Sequence, residues 1–179
     1  MELYTFEIMK FPTCKFDFIN ATYVLHLEGS PRIAKVKSQL SEQPLTKLNY
    51  IMRNPGYKKV KKPLPRQNSE ADIAFSHYIA CKHALKNLYD KIIVLEDDFI
   101  FENELQDPDV AQKVQDFMTT SVDHYFLGCT PFMALPCSWD LTHWKVLYGG
   151  CLHAVIHSCS GMQKLVESYE KDPHSISAQ

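Results

Sequence analysis

The sequence has no uninterrupted apolar run near the roughly 20 residues that cross a bilayer, so no membrane-spanning helix is predicted. Neither sign of charge is in large excess. Nineteen basic and 21 acidic residues leave a formal net charge of -2, and the pI is about 6.4. Without a basic field, nucleic acid and anionic membrane are excluded as main partners, and any polyanion contact must be local. Cysteine occurs six times (Cys14, Cys81, Cys129, Cys137, Cys151, Cys159), but no pair has the Cys-x2-Cys spacing of a closed zinc site. The opening MELYTFEIMKF mixes acids and polar groups into its apolar residues and reads as neither signal peptide nor anchor. The expectation is a cytoplasmic chain with free thiols in a reducing compartment. Internal repeats and low-complexity tracts are also absent. What is present is 179 residues that are 45% hydrophobic and 22% charged, enough for one folded domain whose core needs no staples.

Strand and helix patterns alternate along the chain. Thr22 to Leu27 (TYVLHL) is rich in β-formers, and Ser30-Pro31 offers a cap and a first-turn proline for a helix with Ile33, Val36 and Leu40 inward. A second strand from Thr46 to Met52 competes with continued helix. Residues 54 to 68 (NPGYKKVKKPLPRQN) combine prolines, a glycine and five basic side chains. They read as an exposed loop, either a flap over a phosphate-bearing substrate or a solvated connection. Ser69 is read as the cap of a long helix reaching about Tyr89, with Ala74, Tyr78, Cys81, Leu85 and Leu88 as its apolar stripe. Ile92 to Leu95 is continuously apolar, the pattern of a strand covered on both faces. Asp107-Pro108 opens a helix with Val110, Val114 and Phe117 inward. HYFLG (124 to 128) and LHAVIH (152 to 157) are strands around an irregular stretch from Cys129 to Trp144. A last helix carries Met162, Leu165, Val166 and Tyr169 and stops before Pro173. The prediction is an α/β domain over residues 21 to 179, with a mostly parallel sheet flanked by helices and ligands at the C-terminal strand ends. Residues 1 to 20 are read as an extension, a β-hairpin about Pro12-Thr13 that covers an edge or makes a subunit contact in a homo-oligomer.

Glu96, Asp97 and Asp98 sit where the buried strand leaves the sheet. Burying that much like charge is costly unless a cation neutralises it. Alternation along a strand puts Glu96 and Asp98 on one face and Asp97 on the other. A hard divalent ion, Mg²⁺ or Mn²⁺, suits oxygen ligands and keeps open positions for water or a diphosphate; the other reading is a solvated turn. Phe99, Ile100 and Phe101 are apolar again, which sets this cluster apart from an ordinary surface loop.

The string SEADIAFSHYIACKHALKNLYDKIIVLEDDFIF resembles the core of the family 25 glycosyltransferases, which include lipopolysaccharide-type hexosyltransferases and collagen galactosyltransferases. The family pattern is approximately Gly-Glu-Ile-Gly-Cys-x-x-Ser-His, a helix, and a strand ending in Leu-Glu-Asp-Asp. Glu70, Ser76, His77 and Leu95 to Asp98 keep that spacing. TYVLHLEGSPRIAKV is similar to the family's opening strand and Arg-containing turn, and GGCLHAVIHSCSGMQKLVE to its Gly-x-His-Ala-Tyr-x-x-Ser strand and helix. The resemblance spans about residues 22 to 175.

It implies a GT-A-like fold that moves a hexose, galactose or glucose, from a UDP-sugar to a hydroxyl of a glycan or glycoprotein acceptor, with inversion and with Mn²⁺ or Mg²⁺. Asp98 would be the main metal ligand, with Glu96 near the ribose or a metal-bound water and Asp97 bonded into the scaffold; His174 would complete the metal set. Arg32 would meet nucleotide or diphosphate, or else stand exposed. Glu70 would bind donor hydroxyls, His77 would face the site or lie in the core, and His153 would sit beside the donor. Inversion needs a carboxylate base. The family's Pro-x-Asp is replaced by Pro173-His174-Ser175, which leaves Asp172 and Asp140 as candidates. Ser69 and Asp72 replace the family's glycines. These departures open two alternatives, a transferase-like binding protein without a base and a metal-dependent phosphoesterase.

Overall fold

The computed structural model describes residues 3–102, 105, 107–137 and 143–174, with 148–152 as backbone alone. Its elements in chain order are β1 (Thr5–Lys10), β2 (Ala21–Leu27), α1 (Ile33–Glu42), β3 (Leu48–Asn54), α2 (Ser69–Lys86), β4 (Lys91–Glu96), α3 (Pro108–Met118), β5 (His124–Pro136), β6 (Trp144–Ser158) and α4 (Cys159–Lys171). Six strands form one sheet in the order β1-β3-β2-β4-β6-β5. Only β2 with β3 and β2 with β4 pair in parallel; the other three pairings are antiparallel. The α/β class is as expected, but the sheet is mixed rather than mostly parallel. It is mixed at both edges, because β1 runs antiparallel to β3 and β5 and β6 form an antiparallel ribbon whose inner strand runs against β4.

Period-two alternation splits the core into two layers. Tyr23, Leu25, Tyr50, Met52, Ile92, Val94 and Val155 pack under α2 and α4. Val24, Ile51, Ile93, Leu95 and Ile156 face α1, α3 and the segment carrying Phe16 and Ile19. The first 20 residues therefore do not form a hairpin. Residues 5–10 form an edge strand on β3, and residues 11 onward cross to the opposite face, where Phe16 is fully buried. Aromatic side chains too large to leave in water decide that path.

Helix starts also differ in detail. Asn68, not Ser69, caps α2, its side chain accepting from Ala71 N. Arg32 occupies the cap position of α1, where no side chain caps the helix. Asp107 caps α3 as expected, with Pro108 in the first turn. The stretch read as irregular after Cys129 belongs to the ribbon, whose register shifts several times between Phe126 and Ala134. Pro131 is tolerated there because β5 is an edge strand. The distal ribbon leaves Phe132, Met133, Leu135 and Trp144 exposed.

Leu88, expected on the inward stripe of α2, is instead 88% exposed with φ of +58°. It closes the helix in the left-handed region, where Tyr89 N donates to Ala84 O at 3.1 Å, a position that favours glycine. Leu88→Gly removes the side-chain strain and buries nothing less, so it should raise stability by about 1 kcal/mol. A urea midpoint no higher than the parent's would contradict this.

Three histidines meet beneath α2 and α4. His124 and His157 share a hydrogen bond between their Nδ1 atoms at 2.8 Å, and His77 packs edge-on against His157 at 6.0 Å between ring centroids. Burial lowers the pKa of His77 to about 4 and that of His157 well below the usual range; it lowers His124 as well. The unfolded chain therefore takes up protons first. Stability should be complete above pH 6.5 and fall as pH drops toward 4, by about 2 kcal/mol at pH 5 from His77 alone. Equal urea midpoints at pH 7 and pH 5 would show that these rings are not held neutral.

Candidate metal and diphosphate site

The parallel strands β2, β3 and β4 end side by side, Leu25 opposite Glu96 and Leu27 opposite Asn54. Their C-terminal ends open into a cleft of about 610 Å³, the location where open α/β sheets bind ligands. One wall carries Arg32, a second the loop residues Tyr57, Lys58 and Lys59, and a third the first turns of α2 through Ser69, Asp72 and Ser76; Glu96, Asp97 and Asp98 lie at its edge.

The three carboxylates are handled separately. Asp97 accepts from His26 Nδ1 at 2.8 Å and from Arg32 Nη1 at 2.9 Å. Its oxygens are thereby committed to the scaffold, and it does not join the other two as a metal ligand. Glu96 and Asp98 turn toward His153, whose Nδ1 is 3.9 Å from Glu96 Oε2 and 3.6 Å from Asp98 Oδ1. One ligand atom from each of Glu96, Asp98 and His153 lies within 4.8 Å of the other two. Burial raises the Glu96 pKa, and the nearby Asp98 and Asp97 add to that against the opposing pull of His153. Two carboxylates and one imidazole could hold a divalent cation but are too few to enclose it, so a ligand or water would fill the remaining positions. Arg32 lies 3.7 Å from Asp98 as well. Its pKa is raised above the usual value, chiefly by the hydrogen bond to Asp97.

Several expected residues are placed elsewhere. Asp72 and Ser76, one turn apart on α2, face the cleft, while His77, rotated about 100° further around the helix, enters the core against His157. His77 is therefore a core residue. Glu70 is exposed in the first turn of α2 and is not in the cleft wall. Asp172 is the C-cap of α4, where its Oδ1 accepts from His174 N at 3.0 Å. Neither Asp172 nor His174 belongs to the Glu96, Asp98 and His153 group among the described residues. Asp140 lies outside the described residues.

Sequence reasoning missed His26 and Lys62. His26 is buried at the end of β2; a polar residue interrupting TYVLHL beside the C-terminal strand edge was the available signal. Lys62 was read as one of a run of solvated lysines, yet it is 2% exposed. Its Nζ donates to Asp72 Oδ1, to Asn54 Oδ1 and, at 3.3 Å, to Tyr4 OH. Asp72 Oδ2 accepts from Tyr57 N at 3.0 Å, and Asn54 Oδ1 from Gly56 N at 2.7 Å. Gly56 has φ of +81°, and a Cβ there would press to 3.0 Å from Leu27, so the turn needs glycine. This network holds the basic loop as a wall of the cleft. Burial pulls the Lys62 ammonium pKa down against the opposing pull of Asp72. Compared with known proteins, the chain matches no family model and no curated protein.

Removing one member of a buried ion pair strands the other. Lys62→Ala should cost about 3 to 5 kcal/mol in urea denaturation, with Lys62→Met costing about as much, because Asp72 loses its partner in both. A Lys62→Met, Asp72→Leu double variant should recover most of the loss. A cost below 1 kcal/mol for Lys62→Ala would mean that the pair is solvated.

Proposed function

We propose that the chain is a metal-dependent hexosyltransferase of GT-A type that uses a nucleoside diphosphate sugar, UDP-galactose or UDP-glucose. The observation that carries this reading is the convergence of Glu96, Asp98 and His153 at the edge of a cleft whose walls supply Arg32, Lys58 and Lys59. A divalent cation needs the first group and a diphosphate needs the second. In this reading Mn²⁺ or Mg²⁺ would be held by Glu96, Asp98 and His153 and when bound would neutralise the charge that develops on a departing diphosphate.

The protein's own groups have distinct tasks in this reading. Asp97 holds Arg32 in place, leaving the remaining guanidinium donors for phosphate oxygens. His26, bonded to the other oxygen of Asp97, fixes that carboxylate in turn. The Lys62 network keeps the lysine-bearing loop against the cleft, so nucleotide meets a preformed wall. A glycan or glycoprotein hydroxyl would approach from the His153 side, away from the wall formed by Arg32 and the loop.

A second reading is favoured by one specific observation. Asp172, the candidate base nearest the family's position, caps α4 instead of lining the cleft, which suits a protein that binds nucleotide sugar without transferring it. The two readings separate in one experiment, release of hexose from UDP-galactose and UDP-glucose with Mn²⁺. The transferase should hydrolyse one donor slowly, with activity abolished by chelation and lowered at least about 100-fold in Asp98→Asn. Metal-dependent UDP-sugar binding without hydrolysis in any acceptor mixture would leave the binding protein. Absence of both would end both readings, and phosphate release from simple esters would identify a phosphoesterase instead.

A further inference from the structure

A second cavity, of about 540 Å³, has Asp98 in common with the cleft above and is also lined by His153 of the Glu96, Asp98 and His153 group. Its character is different. Where the first cleft has arginine and lysines, this one is walled by Leu95, Phe99, Phe101, Leu127, Val110 and neighbouring apolar groups. Asp98, His153 and Glu102 are its charged or titratable side chains among the described residues. A hydrophilic sugar would leave hydroxyls against that wall without partners, which is costly. The cavity instead suits a ligand with an apolar body and one polar end directed at Asp98 and His153.

We propose that this cavity holds the aromatic group of a hydroxyl-bearing acceptor, so that the preferred acceptor is an aryl-substituted hydroxyl compound rather than an unsubstituted glycan. The choice of aromatic over alkyl rests on the wall itself. Phe99 and Phe101 line the cavity as a tilted pair, 4.8 Å between centroids and 35° between planes, and a third ring can join such a pair in offset or edge-on contact. Ile100, between them in sequence, is 62% exposed and also lines the cavity. As a statement about an acceptor, the proposal rests on the transferase reading. There the acceptor oxygen bonds to the anomeric carbon as that carbon's bond to the diphosphate oxygen breaks. The electron pair leaves with the nucleoside diphosphate, and the hydroxyl proton passes to a carboxylate base, for which the cavity wall offers Glu102.

Gly128 provides the sharpest variant. A Cβ added there would meet Ala154 at an ordinary 3.7 Å, so a side chain can begin there without strain, and Gly128→Leu adds bulk at the cavity wall. Ile100→Ser, at an exposed position, removes apolar surface without a folding cost. Binding of phenyl, hexyl and methyl β-galactoside is measured by calorimetry on the full chain without donor, and UDP with Mn²⁺ is titrated separately. The phenyl compound should bind about tenfold tighter than the methyl one and more tightly than the hexyl one. That advantage should vanish in Gly128→Leu and shrink in Ile100→Ser. Equal affinity for phenyl and methyl compounds, a hexyl preference, or a phenyl advantage that survives both substitutions would overturn the proposal. A phenyl preference in a chain that binds no UDP with Mn²⁺ would leave the aromatic pocket standing and overturn its role as an acceptor site. A parent chain that binds UDP with Mn²⁺ but shows no phenyl preference would overturn the aromatic pocket and leave the transferase reading standing.

Discussion

Three consecutive carboxylates lie at the end of β4, a strand whose four central residues are buried, and the surrounding structure is organised by the need to keep them apart. Left together, Glu96, Asp97 and Asp98 would repel one another at the edge of a low-dielectric core. The fold divides them. Asp97 is drawn toward His26 on β2 and Arg32 at the start of α1, while Glu96 and Asp98 turn to His153 on β6. Each partner comes from a different element, so the cluster requires β2, β4, β6 and α1 to be in register at one point. The resulting asymmetry defines the site, with a committed carboxylate on one side and two open ones on the other.

The buried Lys62 supports the same site from below. Its ammonium draws together Asn54 at the end of β3, Asp72 on α2 and Tyr4 beside β1. Through Asp72 and Asn54 the same network bonds the backbone of Tyr57 and Gly56. A proline-rich, lysine-rich segment with no regular structure of its own is thereby fixed as a wall. The two cavities that share Asp98 then differ in chemistry for a topological reason. The polar one opens at the parallel strand ends, beside the basic loop, while the apolar one lies where Phe99 and Phe101 leave β4 and pack toward α3.

Much of this was legible locally. The apolar run Ile92 to Leu95 announced a strand covered on both faces, Asp107-Pro108 announced α3, and alternation separated Asp97 from Glu96 and Asp98 before any partner was known. Other residues misled for equally local reasons. Leu88 continues the helical stripe of α2 in sequence but falls past the last helical turn, where the chain reverses. His77 keeps the spacing that the resemblance assigns to a site residue, yet the one-residue step from Ser76 turns it from the cleft into the core. Lys62 is indistinguishable in sequence from Lys58, Lys59 and Lys61. Only its distance from Asp72, ten positions later in the chain but adjacent in space, sets it apart.

By itself, then, the sequence determined the α/β class, most of the strands and helices, and the presence of an acidic cluster at the end of a buried strand. Those properties follow from periodicity and from the cost of burying charge, both of which act between near neighbours. Tertiary structure alone decided that the sheet is mixed, that His26, Arg32 and His153 divide the carboxylates, that Lys62 is buried, and that an apolar cavity adjoins the polar one. Each of these depends on contacts between residues tens of positions apart, and such contacts are set by how the layers pack rather than by any pattern along the chain.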